Sequence, residues 1–402
     1  MYQNMPKKHD IMHSTLKQGD IIELVIDDIA FGGDGVGRFK GMAVFVPFVI
    51  EGERVTAEIT EVRKRFARAR LAEVNETSPY RVDPVCPYYT NCPGCRYQHV
   101  AYEHQLSLKE KQVSDLFQRI GKQANPAVAA IAPSPHPYGY RNKVVLHGPG
   151  NPGYWGFDGK IVPIEHCPVA RREINECIRN NRDTVLGVKE HLAIRVDAEG
   201  KAVMPTGSSS GRMLTERIRS LKLQVPENVF FQANPYIIPS IADSLRKEFT
   251  NHECRALIDA YCGVGLFTLI MADKAMPCIG LEENRTAVLA AENNAVNNGF
   301  GHVVFRVGPV EKTLESSLAQ CDKEPVCVIL DPPRSGCSRP VLKLLVERKP
   351  SLVIYISCAP DRLARDVRMM VDGGYKLERL LPFDMCPQTA HLEVMAVLST
   401  CG

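Results

Sequence analysis

Two residues of this 402-residue chain, Cys358 and Glu393, have the type and placement for covalent catalysis. Cys358 closes the apolar run VIYIS, and a strand that ends in cysteine presents its thiol where sheets with crossover helices keep their ligand crevice. Attack of a thiolate at C6 of a uracil ring would turn C5 into a nucleophile able to capture an electrophilic methyl group. The adduct must then lose its C5 proton, so a base has to wait on the other side of the ring. Glu393, beside His391 where a turn enters the last strand, is the candidate base. A lone cysteine at a buried strand end is more commonly an inert core thiol. The assignment therefore leans on further positions expected in the same crevice.

Those positions come from two earlier segments. LIDAYCGVGLFTL reads as a strand, a glycine turn and a helix, with Gly263 and Gly265 letting the backbone pass close to a ligand. The next strand, CIGLEEN, ends at Glu282, 17 positions after Gly265, where a carboxylate can accept both hydroxyls of a ribose. The full dinucleotide pattern GxGxxG is absent, which favours a sulfonium methyl donor over a nicotinamide. The bland alternative is a helix-packing turn plus a surface glutamate. VILDPPRSG then places Asp331 at another strand end, followed by two stiffening prolines and Arg334. Cys337 lies too late in this loop to match the cysteine that cytosine-5 RNA methyltransferases carry there.

A third set is separate. Cys86, Cys92 and Cys95 have the spacing Cys-x5-Cys-x2-Cys, and Cys167 follows much later. Four such thiolates suit a 4Fe-4S cluster or a tetrahedral zinc, and spacing alone does not choose between them. The radical-enzyme spacing Cys-x3-Cys-x2-Cys is absent. Cys177, Cys254, Cys278, Cys321 and Cys401 are scattered and read as packing or surface thiols.

The elements that must position these residues fall into segments. Residues 1–16 read as a polar, flexible arm without the apolar stretch of a signal peptide. Residues 17–75 alternate like the strands of a small barrel, with FGGDGVGRFKG as a turn-rich break. Such barrels commonly carry single-stranded nucleic acid, and Arg63, Lys64, Arg65, Arg68 and Arg70 crowd one connection. A charge run of this kind is by itself usually a solvated hairpin. Residues 76–226 read as α+β, with a helix over 104–121 placing Leu106, Lys109, Val113, Leu116 and Ile120 at helical spacing. That helix is expected to pack on the following domain. Residues 227–402 alternate strands with helix-length spacers, so a parallel sheet with helices on both faces is expected, closed by an antiparallel pair.

Composition sets outer bounds. A formal net charge of +3 neither demands nor forbids a polyanionic partner. Apolar runs stay short of the ~20 residues that cross a bilayer, so a membrane partner is not expected. Fourteen cysteines without a secretory signal read as thiols or ligands of a cytoplasmic chain rather than as disulfides.

Taken together, the chain closely resembles the bacterial RNA uracil-5 methyltransferase family, particularly its cluster-containing 23S ribosomal RNA branch. The likeness runs over nearly the whole chain. DGVGR at Asp34–Arg38 resembles the recognisable turn of a TRAM domain, the family's RNA-binding barrel. The implied fold is a Rossmann-like α/β methyltransferase domain with an N-terminal TRAM/OB-like barrel and an α+β central iron-sulfur domain. FFQAN resembles the family element FxQxN and implies Gln232 as a donor contact; Tyr261, Leu266, Glu282 and Asp331 are implied likewise. Cys358 falls on the family nucleophile and Glu393 on its base. The implied cofactors are S-adenosylmethionine and a 4Fe-4S cluster held by Cys86, Cys92, Cys95 and Cys167.

Two positions depart from the pattern: SCAP carries Ala359 where the family commonly has asparagine, and RVGPVE carries Pro309 where a polar residue often meets the adenine. The expected activity is 5-methyluridine formation in ribosomal RNA by a monomer. The T-loop uridine of transfer RNA is the competing substrate, and a non-catalytic iron-sulfur RNA-binding factor is the competing class.

Overall fold

The computed structural model describes residues 16–148, 151–181, 185, 190–204 and 211–400. The expected arm over residues 1–16 and Cys401 therefore lie, but for Leu16, outside the described residues. The chain divides into two compact units, Met1–Asp83 with His99–Ala101, and Pro84–Gln98 with Tyr102–Gly402.

The first unit is a closed barrel with strand order β1-β2-β3-β5-β4, built from β1 (Ile21–Ile29), β2 (Asp34–Phe39), β3 (Met42–Pro47), β4 (Arg54–Val62) and β5 (Phe66–Glu76). Strict alternation in β1 buries Ile22, Leu24 and Ile26 and leaves their neighbours in water. The segment expected as a turn-rich break contains a full strand, β2. Its glycines hide the strand pattern, and packing requires them: a Cβ at Gly35 would lie 2.1 Å from Val49, and one at Gly37 would lie 2.4 Å from the Val25 carbonyl. Arg63, Lys64 and Arg65 fall, as expected, in the exposed connection between β4 and β5, whereas Arg68 and Arg70 lie within β5.

In the second unit, α1 (Tyr102–Arg119) confirms the expected helix but buries a different face. Instead of Leu106, Leu116 and Ile120, it buries Gln105, Leu108, Lys109, Gln112, Val113 and Phe117. Polar side chains are buried because they have partners: Lys109 donates to Asp384 at 2.6 Å, and Gln105 donates to Gln388 at 3.0 Å. The helix is thus tied to the turn that precedes the last strand. A five-stranded sheet of order β10-β9-β6-β7-β8 follows: β6 (Lys143–His147), β7 (Gly153–Trp155), β8 (Ile161–Pro163), β9 (His191–Val196) and β10 (Ala202–Val203). Helix α2 (Arg172–Asn180) packs its Ile174 and Ile178 into the core under this sheet. The hairpin β11 (Met213–Ile218) and β12 (Leu221–Pro226) leads to α3 (Ile238–Asn251).

The largest sheet has order β15-β14-β13-β16-β17-β19-β18. Strands β13 (Ala256–Ala260), β14 (Cys278–Glu282), β15 (Val304–Val307), β16 (Val326–Leu330) and β17 (Leu352–Ser357) are parallel. Strand β19 (Glu393–Thr400) runs antiparallel between β17 and β18 (Tyr375–Phe383). Crossover helices α4 (Leu266–Met271), α5 (Arg285–Asn297), α6 (Val310–Gln320) and α7 (Arg339–Arg348) link the parallel strands, and α8 (Pro360–Asp372) leads from β17 to β18. The central strands are buried at every residue, so apart from Asp259 and Ser357 their sequences are apolar rather than alternating. Their carboxyl ends open at one edge, where Asp331 and Cys358 emerge.

Candidate active site

Strand register brings the two sequence-distant candidates together. Ser357 pairs with Val394, so the next rung sets Cys358 beside Glu393. Asp331 leaves the adjoining parallel strand, and Gln232 donates to its Oδ2 at 3.4 Å. Burial pushes the Cys358 thiol up to about 11, and the Glu393 carboxylate adds to the rise; the Arg334 guanidinium opposes both by charge and hydrogen bonding. Glu393 is held well above the usual carboxylate range by burial and by the nearby Asp331 charge, again opposed by Arg334. Asp331 is pushed up to about 7 by burial and by Asp259. Glu393 Oε2 is buried and has no hydrogen-bond partner among the described residues. A buried oxygen left without a partner costs roughly 1–3 kcal/mol, so this site is shaped for something that supplies a donor or a proton.

Next to this group lies the glycine turn. Glu282 Oε2 accepts the Gly263 N–H at 3.0 Å and its Oε1 accepts that of Asn284 at 2.8 Å, fixing the carboxylate across two neighbouring strands. Tyr261 takes φ +67° and Gly263 φ +55°. The tyrosine in that conformation is strained, as residues at ligand sites often are. The two glycines divide their work. A Cβ at Gly263 would meet nothing within 4 Å, leaving space for a ligand, whereas one at Gly265 would press on Phe305 and Ala291 at 3.2 and 3.3 Å. Gly265 thus serves helix packing. Leu266 begins α4 and is buried. The open cradle at Gly263 and the fixed carboxylate of Glu282 fit an adenosine-bearing donor.

Sequence reasoning missed several residues. Arg334, which the sequence shows only as the residue after two prolines, acts by charge on both Cys358 and Glu393. Its loop is clamped from α8: the Cys337 N–H donates to Tyr355 Oη at 2.9 Å and to Asp366 Oδ2 at 3.0 Å, and Tyr355 donates to the same Asp366 oxygen at 2.8 Å. Arg365 holds the Ser335 carbonyl at 3.2 Å. Asp259, buried and pushed up to about 7 by desolvation, accepts from Thr268 at 2.5 Å and leaves its other oxygen unpartnered. Only the order of neighbouring strands marks these residues. At the Ala359 departure, no side chain caps α8; Ser357 Oγ accepts the Ala359 N–H at 3.1 Å instead. Pro309 is the residue before α6, and its carbonyl accepts from Lys312.

Cys86, Cys92, Cys95 and Cys167 line one cavity of about 550 Å³ in the second unit. Burial raises the first three thiols, Cys95 up to about 12, and each would feel the charge of Cys167. Among the described residues no group of three or more His, Cys, Asp or Glu side chains is drawn close enough to hold a metal ion. Cys177, Cys254, Cys278 and Cys321 are buried packing thiols. Among the described residues no helix is long and apolar enough to cross a membrane.

A parallel sheet extended by an antiparallel last strand, with its crevice at the strand ends, defines the fold of S-adenosylmethionine-dependent methyltransferases. The solved tRNA (uracil-54, C5)-methyltransferase of Pyrococcus abyssi, in complex with S-adenosyl-L-homocysteine, has this fold over 94% of the present chain and 99% of its own, with TM-score 0.73 and 24% identity. The family model described as tRNA (uracil-5-)-methyltransferase matches residues 191–401, and the TRAM domain model matches residues 16–72. An uncharacterized RNA methyltransferase of Nostoc sp. is 32% identical, covering 96% of this chain and 97% of its own. One from Halalkalibacterium halodurans is 30% identical, with coverages of 96% and 98%. The chain belongs to the RNA (uracil-5-)-methyltransferase family and is an RNA methyltransferase with an N-terminal TRAM barrel.

Proposed function

We propose that this chain forms 5-methyluridine in 23S ribosomal RNA through a covalent adduct with Cys358. The observation that carries the reading is the register that sets the Cys358 thiol beside the unpartnered carboxylate of Glu393. Arg334 lowers the cost of forming the thiolate. That thiolate adds to C6 of a uracil taken out of its stack, and the ring electrons move toward O4, leaving C5 nucleophilic. The bound donor supplies an electrophilic sulfonium methyl group. Once C5 carries the methyl, Glu393 removes the C5 proton, the C6–S bond breaks, and the thiolate returns. Gln232, Tyr261, Gly263, Gly265, Leu266, Glu282 and Asp331 form the donor side, Gly265 through packing.

The four cysteines support an iron-sulfur domain, because four thiols around one cavity are the donor set such a cluster takes. Cys86, Cys92, Cys95 and Cys167 would hold it, with a structural or RNA-binding role. We place the borders of barrel, central and catalytic domains at residues 17–75, 76–226 and 227–402. The cysteine set favours ribosomal RNA, since it resembles the cluster-containing branch. The description of the matching family favours the T-loop uridine of transfer RNA as the second reading.

Cys358→Ala is expected to abolish methylation, and retained turnover would overturn the nucleophile. Glu393→Gln should form the adduct without resolving it, leaving an RNA-protein band that survives denaturation. Mass spectrometry of both RNA pools, with and without the protein, decides the substrate. Anaerobic purification should yield a brown protein; a colourless one with one zinc per chain would refute the cluster.

A further inference from the structure

Phe383 and Glu393 close the last rung of β18 and β19, and the segment between them, residues 384–392, is long for a hairpin connection. It is also buried, apart from Cys386 and His391. Connections normally run over the surface, because buried backbone polar groups must find partners. This one finds them outside itself. Four successive carbonyls accept from four separate segments: Met385 from the Asn234 amide at 3.1 Å, Cys386 from the Lys109 ammonium at 3.1 Å, Pro387 from the Tyr140 hydroxyl at 3.0 Å, and Gln388 from the N–H groups of Arg96 and Tyr97, both at 2.9 Å. Asn234, Lys109 and Tyr140 are themselves fully buried.

At Gln388 the restraint is tightest. Its φ is +67°, in the left-handed region that a side chain makes costly. Gln105 holds it there from α1: its amide nitrogen donates to Gln388 Oε1 at 3.0 Å, and its amide oxygen accepts the Gln388 N–H at 3.1 Å. At the start of the turn, Asp384 accepts from Lys109 at 2.6 Å and from Tyr102 at 2.8 Å. The polar stripe of α1 thus grips the turn at two points, which is why Gln105 and Lys109 face inward. Glu393 itself has a carboxylate oxygen with no partner among the described residues, so the backbone entering β19 has to aim it.

We propose that Gln105 and Gln388, together with the Lys109–Asp384 pair, are positioning residues for the base: they fix the turn and thereby the direction from which Glu393 meets the C5 proton. The inference rests on the role given to Glu393 above. Attack by Cys358 and capture of the methyl group come before proton removal, so a loosened turn spares the first two steps and slows the third. In that third step Glu393 takes the C5 proton, the C5–H electrons form the C5–C6 double bond, and the C6–S electrons leave on sulfur. A turn that only supported the core would weaken all three steps alike.

The full-length protein, purified anaerobically, is given S-adenosylmethionine labelled in its methyl group and total RNA from a strain lacking the protein. Label in free RNA measures turnover, and label in an RNA-protein band that survives denaturation measures the stalled adduct. Gln388→Gly keeps the left-handed backbone and removes the side chain. It should lower kcat by about a hundredfold, the effect of displacing a reacting group by about 1 Å. Labelled adduct should accumulate meanwhile, and donor affinity by calorimetry should stay unchanged. Gln105→Leu leaves the sequence of the turn intact and should act in the same direction. Unchanged turnover in both variants, with adduct accumulating in Glu393→Gln, would overturn the positioning role and leave the uridine chemistry standing. Adduct formation falling as much as turnover, or donor binding lost in both variants, would make the turn a folding element and overturn the role as well. If Glu393→Gln yields no adduct, the base assignment falls and this inference with it.

Discussion

Two buried glutamates, one with a complete hydrogen-bond set and one without, show how differently this chain treats enclosed carboxylates. Glu53, in the barrel, has both oxygens occupied: Arg81 donates to each at 2.6 Å, Ile50 N–H donates at 2.8 Å and Ser78 N–H at 3.2 Å. Burial alone would raise its pKa, but Arg81 and the backbone donors hold it below the ordinary value. Glu393 is equally enclosed yet has an unpartnered oxygen, a second carboxylate nearby and a raised pKa. The lesson is that burial does not distinguish the two; the completeness of the hydrogen-bond set does.

The largest test of that contrast is Glu393→Gln, which should slow resolution of the adduct, and with it turnover to free 5-methyluridine product, by about 10²–10⁴-fold, the usual worth of a positioned base. Its thermal stability should be unchanged or higher, because a neutral amide costs less to bury than a carboxylate. A lower melting temperature in calorimetry would make Glu393 a structural residue and break the comparison. Glu53→Gln should do the reverse, lowering the unfolding free energy by about 3 kcal/mol by leaving Arg81 without its charge partner. Urea titration measures this.

A smaller effect concerns pH. Asp259, raised to about 7, is neutral most easily in the fold. Its contribution to stability is complete below the unfolded value near 4 and is lost as pH rises through about 7. Glu53, lowered, has the opposite sign: its contribution is present above its unfolded value and is lost as pH falls. Asp259→Asn should thus remove about 4 kcal/mol of the stability change between pH 4 and pH 8; an unchanged profile would show that Asp259 does not titrate in the fold. Least in size, Tyr355→Phe should loosen the loop that carries Arg334. Alkylation of Cys358, followed by mass spectrometry at pH 8, should then slow by about two- to tenfold. An unaltered rate would show that Arg334 is held without the clamp.

Legibility followed the physics of each element. The buried parallel strands announced themselves as apolar runs, and strand-end chemistry made Cys358 and Asp331 visible at once. Strand β2 was hidden because its glycines answer to close packing against Val49 and Val25 rather than to strand propensity. The buried face of α1 was misjudged because apolar spacing was assumed to mark burial, whereas Gln105, Lys109 and Gln112 are buried by their polar partners. Arg334 was legible as a residue but not as a partner, since its role depends on where the two prolines and the α8 clamp send the loop.

Sequence by itself determined most of the segments that become strands and helices, β2 excepted, and which residue types could react, because periodicity and chemical type are local properties. Only the tertiary structure decided that residue 358 neighbours residue 393 and that one buried glutamate is satisfied while the other is not. Those are facts of register and enclosure, set when an antiparallel strand slots between β17 and β18, and no local pattern encodes them.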